Sequence, residues 1–153
     1  MSNSKKLDLI VFGATGFTGQ LVSQYINKTY SSTDLKWGIA GRNKEKIFSI
    51  ANKLNINDDR IFIADSNNIE SLVKLTSKTK VICTTVGPYA KYGTNLVEAC
   101  IRSGTDYCDI TGETQWIRRI IDKYHKMAEE KKIKRINSCG FDSIPSDMGV
   151  NYS

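Results

Sequence analysis

At 153 residues, with 40% apolar and 25% charged side chains, the chain has the size and make-up of one soluble globular domain. It has no apolar run near the roughly 20 residues that cross a bilayer, and Met1 to Lys6 lacks the apolar core of a secretory signal, so a cytoplasmic protein is expected. The net charge of +6 favours phosphate-bearing ligands in a general way. Yet the densest basic run, Lys131-Lys132-Ile133-Lys134-Arg135, falls where a helix should end and cations suit its dipole, which argues against a nucleic-acid partner.

Leu7 to Phe12 is a short apolar run closed by glycine and reads as a buried strand. Phe17, Leu21 and Tyr25, with Val22 and Ile26 beside them, then recur at helical spacing. Leu35 to Ala40 reads as a second strand, and Lys44 to Leu54 as a second helix carrying Ile47, Ile50, Ala51 and Leu54. Arg60 to Ala64 is strand three, and the next helix, Ile69 to about Lys78, is entered through Asp65-Ser66-Asn67-Asn68, a run rich in N-cap residues. Lys80 to Val86 is strand four, ended by Gly87-Pro88. Tyr92 to Arg102 follows as a helix with Leu96, Val97, Cys100 and Ile101 on one side and Gly104 as its C-cap. After a short fifth strand, Asp106 to Ile110, the residues Trp116, Ile117, Ile120, Ile121, Tyr124, Met127 and Ala128 form a clear helical stripe with His125 at its boundary. Lys134 to Ser138 is strand six, and Pro145 can open a last helix in its first turn.

Strands separated by helices of about ten residues or more require a parallel sheet covered on both faces. With crossovers of one hand this gives an α/β, Rossmann-type doubly wound sheet of about six strands in the order 3-2-1-4-5-6. Residues 1–140 are expected to form this domain, and 141–153 to begin a hinge leading to a second domain, so the chain reads as a piece of a longer protein.

Between the first strand and first helix stands Gly13-Ala14-Thr15-Gly16-Phe17-Thr18-Gly19. Gly13 permits a tight turn, Gly16 lets backbone approach a pyrophosphate, and Gly19 lets helix and strand pack closely. Free amides at the helix start attract phosphate, and Thr15 and Thr18 add hydroxyls. A glycine triplet alone is weak evidence, but this one follows a strand, opens a helix and begins a series of β-α units, the context of a dinucleotide site. The second strand ends in Ala40-Gly41-Arg42-Asn43 with Lys44 and Lys46 close by, and no carboxylate before Glu45. An acidic residue there would bond the ribose 2′-hydroxyl of NAD, whereas a guanidinium grips a 2′-phosphate, so NADP(H) is expected over NAD(H). By topology Asp65 and Ser66 fall near the adenine, and Val86, Gly87 and Pro88 pass the middle of the cofactor. The expected cofactor residues are therefore Gly13, Thr15, Gly16, Phe17, Thr18, Gly19, Arg42, Asn43, Lys46, Asp65, Ser66, Val86, Gly87 and Pro88.

The four cysteines, Cys83, Cys100, Cys108 and Cys139, make no Cys-x-x-Cys pair, and His125 is the only histidine, so structural thiols and no metal are expected. The Tyr-x-x-x-Lys pair of short-chain dehydrogenases is absent. Tyr107, Asp109, Glu113, Cys139 and Asp142 stand at or near strand ends, where structural roles are expected, and no catalytic residue is assigned.

These motifs in order resemble one family. Phe12-Gly-Ala-Thr-Gly-Phe-Thr-Gly19, Ala40-Gly-Arg-Asn43, Val86-Gly-Pro-Tyr89 with Tyr92-Gly93, Tyr107-Cys-Asp-Ile-Thr-Gly-Glu113 and Cys139-Gly-Phe-Asp-Ser-Ile-Pro-Ser-Asp147 are similar to the saccharopine dehydrogenase-like oxidoreductases and the related trans-acting enoyl reductases. The resemblance implies hydride transfer with a nicotinamide cofactor. It also implies a second domain after the last motif, which carries the contacts to a small-molecule or lipid-like substrate and the surface of a homodimer. On this reading the chain binds the nucleotide without turning anything over by itself. The rival expectation is a non-catalytic NADP-sensing protein on the same fold.

Overall fold

β-Branched and aromatic runs separated by amphipathic segments fold into alternating strands and helices, and the computed structural model describes residues 5–152 of them. The strands β1 (Leu7–Phe12), β2 (Trp37–Gly41), β3 (Ile61–Ile63), β4 (Thr79–Thr84), β5 (Asp106–Asp109) and β6 (Arg135–Ile136) form one six-stranded sheet. Its order is β3-β2-β1-β4-β5-β6 with every neighbouring pair parallel, the doubly wound arrangement expected from the alternation of patterns. The helices are α1 (Phe17–Thr29), α2 (Lys44–Leu54), α3 (Ile69–Thr76), α4 (Tyr89–Ser103), α5 (Thr114–Glu130) and α6 (Ile144–Asn151), with a single 3-10 turn at Asp58–Arg60.

Two cores sandwich the sheet. Val11 and Ile39 face Ile26 of α1 and Ile47, Ile50 and Ala51 of α2. On the opposite face Ile10, Phe12, Ile82 and Tyr107 meet Leu72 of α3, Leu96 and Val97 of α4, and Trp116 and Ile120 of α5. Alternate residues of β1 thus feed different cores, as the two-residue period of a strand requires. No helix among the described residues is long and apolar enough to cross a membrane.

The helix signals act where the sequence places them. The Asn43 and Asn68 side chains accept from the amides of Lys46 and Ser71 at 2.8 and 3.0 Å, capping α2 and α3. Gly104 closes α4 in the left-handed conformation, φ 64°, and Pro145 sits in the first turn of α6. His125 lies exposed on α5, beside the buried Tyr124.

Several boundaries move. β2 starts at Trp37 rather than Leu35, and β6 is only two residues long. β4 ends at Thr84, because the last rung shared with β5 is Thr84 opposite Asp109. Thr85, Val86, Gly87 and Pro88 then form a rim, and α4 starts at Tyr89 instead of Tyr92.

The helix expected from Phe17, Leu21 and Tyr25 forms as α1, and it turns part of that stripe outward. Phe17, Leu21 and Tyr25, its most apolar stripe, face solvent, while Gly19, Ser23 and Ile26 face the sheet. The cause is the close seat of the helix. A Cβ on Gly19 would stand 2.1 Å from the Gly13 carbonyl oxygen, so the inward face needs small side chains. The buried Ser23 hydroxyl satisfies itself by donating to the Gly19 carbonyl at 2.7 Å.

Candidate cofactor site

The site begins where β1 parts from its neighbours. Gly13 and Ala14 donate their amides to Ala40 of β2 at 2.9 and 3.2 Å, while Thr85, beyond β4, donates to the Phe12 carbonyl at 3.0 Å. The chain after β1 is thus held from both sides at the point where strand order reverses. Such a switch point in an open α/β sheet is where ligands bind, outside the carboxyl ends of the strands.

A cleft of ≈ 420 Å³ opens there. Of the residues expected from sequence, Gly13, Thr15, Gly16, Arg42, Asn43, Lys46, Ser66, Val86 and Gly87 line it. Phe12, Gly41, Ala64, Thr85 and Tyr92 line it as well, though sequence reasoning did not single them out as contacts. Thr85 and Tyr92 were hidden by the displaced boundaries of β4 and α4, while Gly41 and Ala64 simply end β2 and follow β3.

At the mouth of α1, Gly16 is the N-cap with φ −79°, has no side-chain cap bond, and the first turn holds no acidic residue. Gly16 donates to Gly13 and Gln20 donates to Gly16, but among the described residues the amides of Phe17, Thr18 and Gly19 have no acceptor. Three donors with a positive helix end are the elements of an anion site. Gly13 turns at φ +93°, and a Cβ there would meet Val86 Cγ2 at 2.7 Å and Thr85 Oγ1 at 2.9 Å. Glycine at 13 therefore keeps the turn tight against the rim.

The β2 end supplies the cations. Arg42 and Lys46 are exposed and take part in none of the ion pairs among the described residues. Both line the cleft. Asn43 spends its carbonyl oxygen on the α2 cap, leaving only its amide nitrogen for a ligand.

Five expected residues stand outside the cleft lining: Phe17, Thr18, Gly19, Asp65 and Pro88. Phe17 is 81% exposed and does not line the cleft, and it and Thr18 offer backbone amides without acceptors among the described residues. Gly19 leaves its amide without an acceptor among the described residues and provides the space for helix packing. Asp65 forms a local turn, its carboxylate accepting from the Asn67 amide at 2.9 Å. Pro88 follows a cis peptide and caps α4.

The polar residues beyond β5 are engaged elsewhere. Asp109 is buried and its carboxylate accepts from the Tyr107 hydroxyl, Asn137 Nδ2 and the amides of Thr111 and Ser138, at 2.7 to 3.1 Å. Glu113 accepts from the amides of Tyr89 and Ala90 at 2.6 and 2.9 Å. Tyr89 donates its hydroxyl to the Thr84 carbonyl at 3.1 Å, and burial holds its phenol well above the usual range. Cys139 is exposed, its thiol directed at the Ile136 carbonyl at 3.5 Å, and Asp142 is exposed. Cys83 and Cys108 face each other across β4 and β5, and all four cysteines are free thiols. Among the described residues no three His, Cys, Asp or Glu side chains gather to hold a metal ion.

With this geometry in place, likeness to known proteins is informative. Residues 9–136 match the family model described as the saccharopine dehydrogenase NADP binding domain. A trans-acting enoyl reductase of Mycobacterium ulcerans (strain Agy99) is 38% identical over 153 residues, which is 99% of this chain and 36% of that protein. One from Mycobacterium tuberculosis (strain ATCC 25618 / H37Rv) is 39% identical over 148 residues, 95% of this chain and 35% of its own length. The chain therefore spans little more than a third of these relatives. Among solved structures, apo saccharopine dehydrogenase (L-Glu forming) from Saccharomyces cerevisiae superposes with TM-score 0.70 at 20% identity, over 89% of this chain and 28% of that one. The Citrobacter sp. triphenylmethane reductase complexed with NADP(H) gives TM-score 0.64 at 20% identity, over 85% of this chain and 48% of that one. Both carry the same fold.

Proposed function

The chain belongs to the saccharopine dehydrogenase NADP-binding domain family, and from that premise we propose that it holds NADP(H) across the β1–β4 switch point for hydride transfer in an oxidoreductase. The observation that carries the reading is the open mouth of α1, where the amides of Phe17, Thr18 and Gly19 are ready for the diphosphate. Arg42 and Lys46, free of ion pairs on one flank of the same cleft, receive the 2′-phosphate, and Asn43 assists with its side-chain nitrogen. Ser66 and Ala64 lie along the adenine side, and Thr85, Val86 and Gly87 along the middle of the cofactor. The nicotinamide ring of the bound cofactor would supply the hydride chemistry, and this chain's residues would bind and orient it.

Substrate recognition belongs, in this reading, to a second domain that follows residues 141–153, because the matched relatives are nearly three times as long. Their name, trans-acting enoyl reductase, supports reduction of a carbon–carbon double bond, and the reading keeps a small-molecule or lipid-like substrate. The reading also includes a homodimer surface carried by that second domain and a cytoplasmic protein. Within the described chain Tyr107, Asp109 and Glu113 are bound into the fold, which supports binding without turnover by this chain alone.

Thermal unfolding with NADPH, with NADH and without ligand tests the proposal. A ligand at about 100 times its Kd stabilises a fold by roughly 2.7 kcal/mol, so NADPH raises the midpoint at concentrations where NADH raises it less. Equal shifts from the two nucleotides sink the NADP assignment, and no shift from either sinks the cofactor site.

A further inference from the structure

Two helix N-termini, those of α1 and α4, follow adjacent strands at the carboxyl rim of the sheet. Only one is open. In α4 the N-cap is Pro88, which has no side-chain acceptor to offer. The Pro88 carbonyl takes the amides of Lys91 and Tyr92 at 3.2 and 3.0 Å. The first two amides, Tyr89 and Ala90, are taken instead by the carboxylate of Glu113, one oxygen each at 2.6 and 2.9 Å. That carboxylate comes from 24 residues downstream, in the loop after β5.

Glu113 is fixed there by its own backbone. Its amide donates to Thr111 Oγ1 at 3.1 Å, and its carbonyl accepts from Trp116 and Ile117 at 2.9 and 3.0 Å, making it the N-cap of α5. One residue therefore clamps two helix starts, α5 with its backbone and α4 with its side chain. The segment immediately before α4 is the rim that contributes Thr85, Val86 and Gly87 to the cleft. Glu113 itself does not line the cleft.

We infer that Glu113 is a positioning residue for the dinucleotide, a reading that rests on the proposed NADP(H) site. It acts in two ways. A carboxylate on two amides at a positive helix end makes charge-assisted bonds that hold the Val86–Gly87 wall in place. The same carboxylate fills the second anion-attracting mouth on the rim, so the diphosphate meets one open mouth, that of α1, and has one register. The adenosine half, held between Arg42, Lys46 and Ser66, is outside its influence.

The test compares two probes on the 153-residue chain: NADPH, which spans the cleft, and adenosine 2′,5′-bisphosphate, which carries only the adenosine half. In Glu113→Ala the Kd for NADPH rises about tenfold, the factor that corresponds to roughly 1.4 kcal/mol, while the Kd for the bisphosphate is unchanged. Sodium formate, which returns a carboxylate to the vacated amides, restores NADPH affinity, and sodium chloride at equal ionic strength does not. Glu113→Gln, which keeps size and one acceptor but loses the charge, falls between wild type and alanine and covers the case in which the alanine variant does not fold. Wild-type NADPH affinity in both variants overturns the inference, as does an equal loss of both probes without rescue by formate, which marks Glu113 as a pillar of the fold only. A wild-type chain that binds neither probe overturns the NADP(H) site and this inference with it.

Discussion

The first turns of α1 and α4 treat their backbone amides in opposite ways. Both helices follow a parallel strand of the same sheet and both open at its carboxyl rim. In α1 the amides of Phe17, Thr18 and Gly19 are left without acceptors among the described residues, the N-cap is a glycine and the first turn holds no acidic residue. In α4 every first-turn amide is satisfied, two of them by Glu113. Leaving three donors unpaired lowers the stability of a helix start, since a good cap is worth about 1 kcal/mol. α1 carries three such amides among the described residues, and α4 carries none. One mouth is left open, as an anion site requires, and the other is closed within the fold.

The strongest way to break this contrast is to close α1. Gly19→Ala puts a methyl 2.1 Å from the Gly13 carbonyl oxygen and 2.9 Å from Ala14 Cα, backbone that has no room to yield. The helix must lift off β1, with an expected loss of about 3 kcal/mol or more in denaturant unfolding and no NADPH binding. Gly16→Ala separates the two effects. Its Cβ meets only the Gly13 carbonyl oxygen at 3.4 Å, an ordinary contact, and its φ of −79° suits any residue. Stability is then nearly kept while NADPH affinity falls, because the methyl group stands where the diphosphate approaches. Gly16→Ala with wild-type affinity shows that the phosphate passes elsewhere.

Next in size is the flank of the open mouth. Arg42→Ala removes the exposed guanidinium and lowers NADPH affinity by about 2 kcal/mol, roughly thirtyfold, with NADH affinity unchanged. Fluorescence titration of both nucleotides measures it. Retained preference for NADPH moves the 2′-phosphate to Lys46 or Lys44.

How far the sequence alone reaches differs between the two mouths for a physical reason. The α1 site is local: Gly13, Gly16 and Gly19, and the Arg42 that follows β2, sit within short windows whose spacing carries the geometry. Strand order followed from the alternation of patterns, with Leu35, Val86 and Tyr92 misplaced by two or three residues at element ends. The α4 mouth is non-local. Glu113 is distant in the chain from Tyr89 and Ala90, and nothing in its spacing from them announces a cap. The stripe Phe17, Leu21, Tyr25 shows a second limit, since its spacing marks the helix without marking the buried face. Apolar periodicity marks the buried face only where side chains do the packing, and α1 is packed through glycine and serine.

The closed region is sharpened by alkaline titration. Tyr89 joins the ends of β4 and β5 through the Thr84 carbonyl and the Ile110 amide, and Tyr107 donates to Asp109 at 2.7 Å. Burial, and for Tyr107 the adjacent Asp109 carboxylate, raises both phenols above the ordinary value of 10.0. A raised pKa in the folded state gives stability that is fully present below the unfolded value, about pH 10, and is lost as pH rises beyond it. Of the seven tyrosines, Tyr89 and Tyr107 should therefore ionise last, in step with unfolding, when absorbance near 295 nm is followed against circular dichroism. Tyr107→Phe should remove one of these late phenols. Full ionisation of all tyrosines in a folded chain contradicts the brace.

The smallest effect is expected at Phe17, and it tests whether the open mouth works through backbone. This residue occupies the first position of α1 and its ring is 81% exposed, so it buries little apolar surface. Serine and phenylalanine have similar helix propensities, and an exposed substitution away from special features changes stability by less than about 0.5 kcal/mol. The Phe17 amide survives in Phe17→Ser with its direction set by the same turn. NADPH affinity and unfolding midpoint should both match wild type within error. A marked loss of affinity with stability intact shows instead that the ring closes over the bound nucleotide, and that the donors of α1 need a hydrophobic cover to hold it.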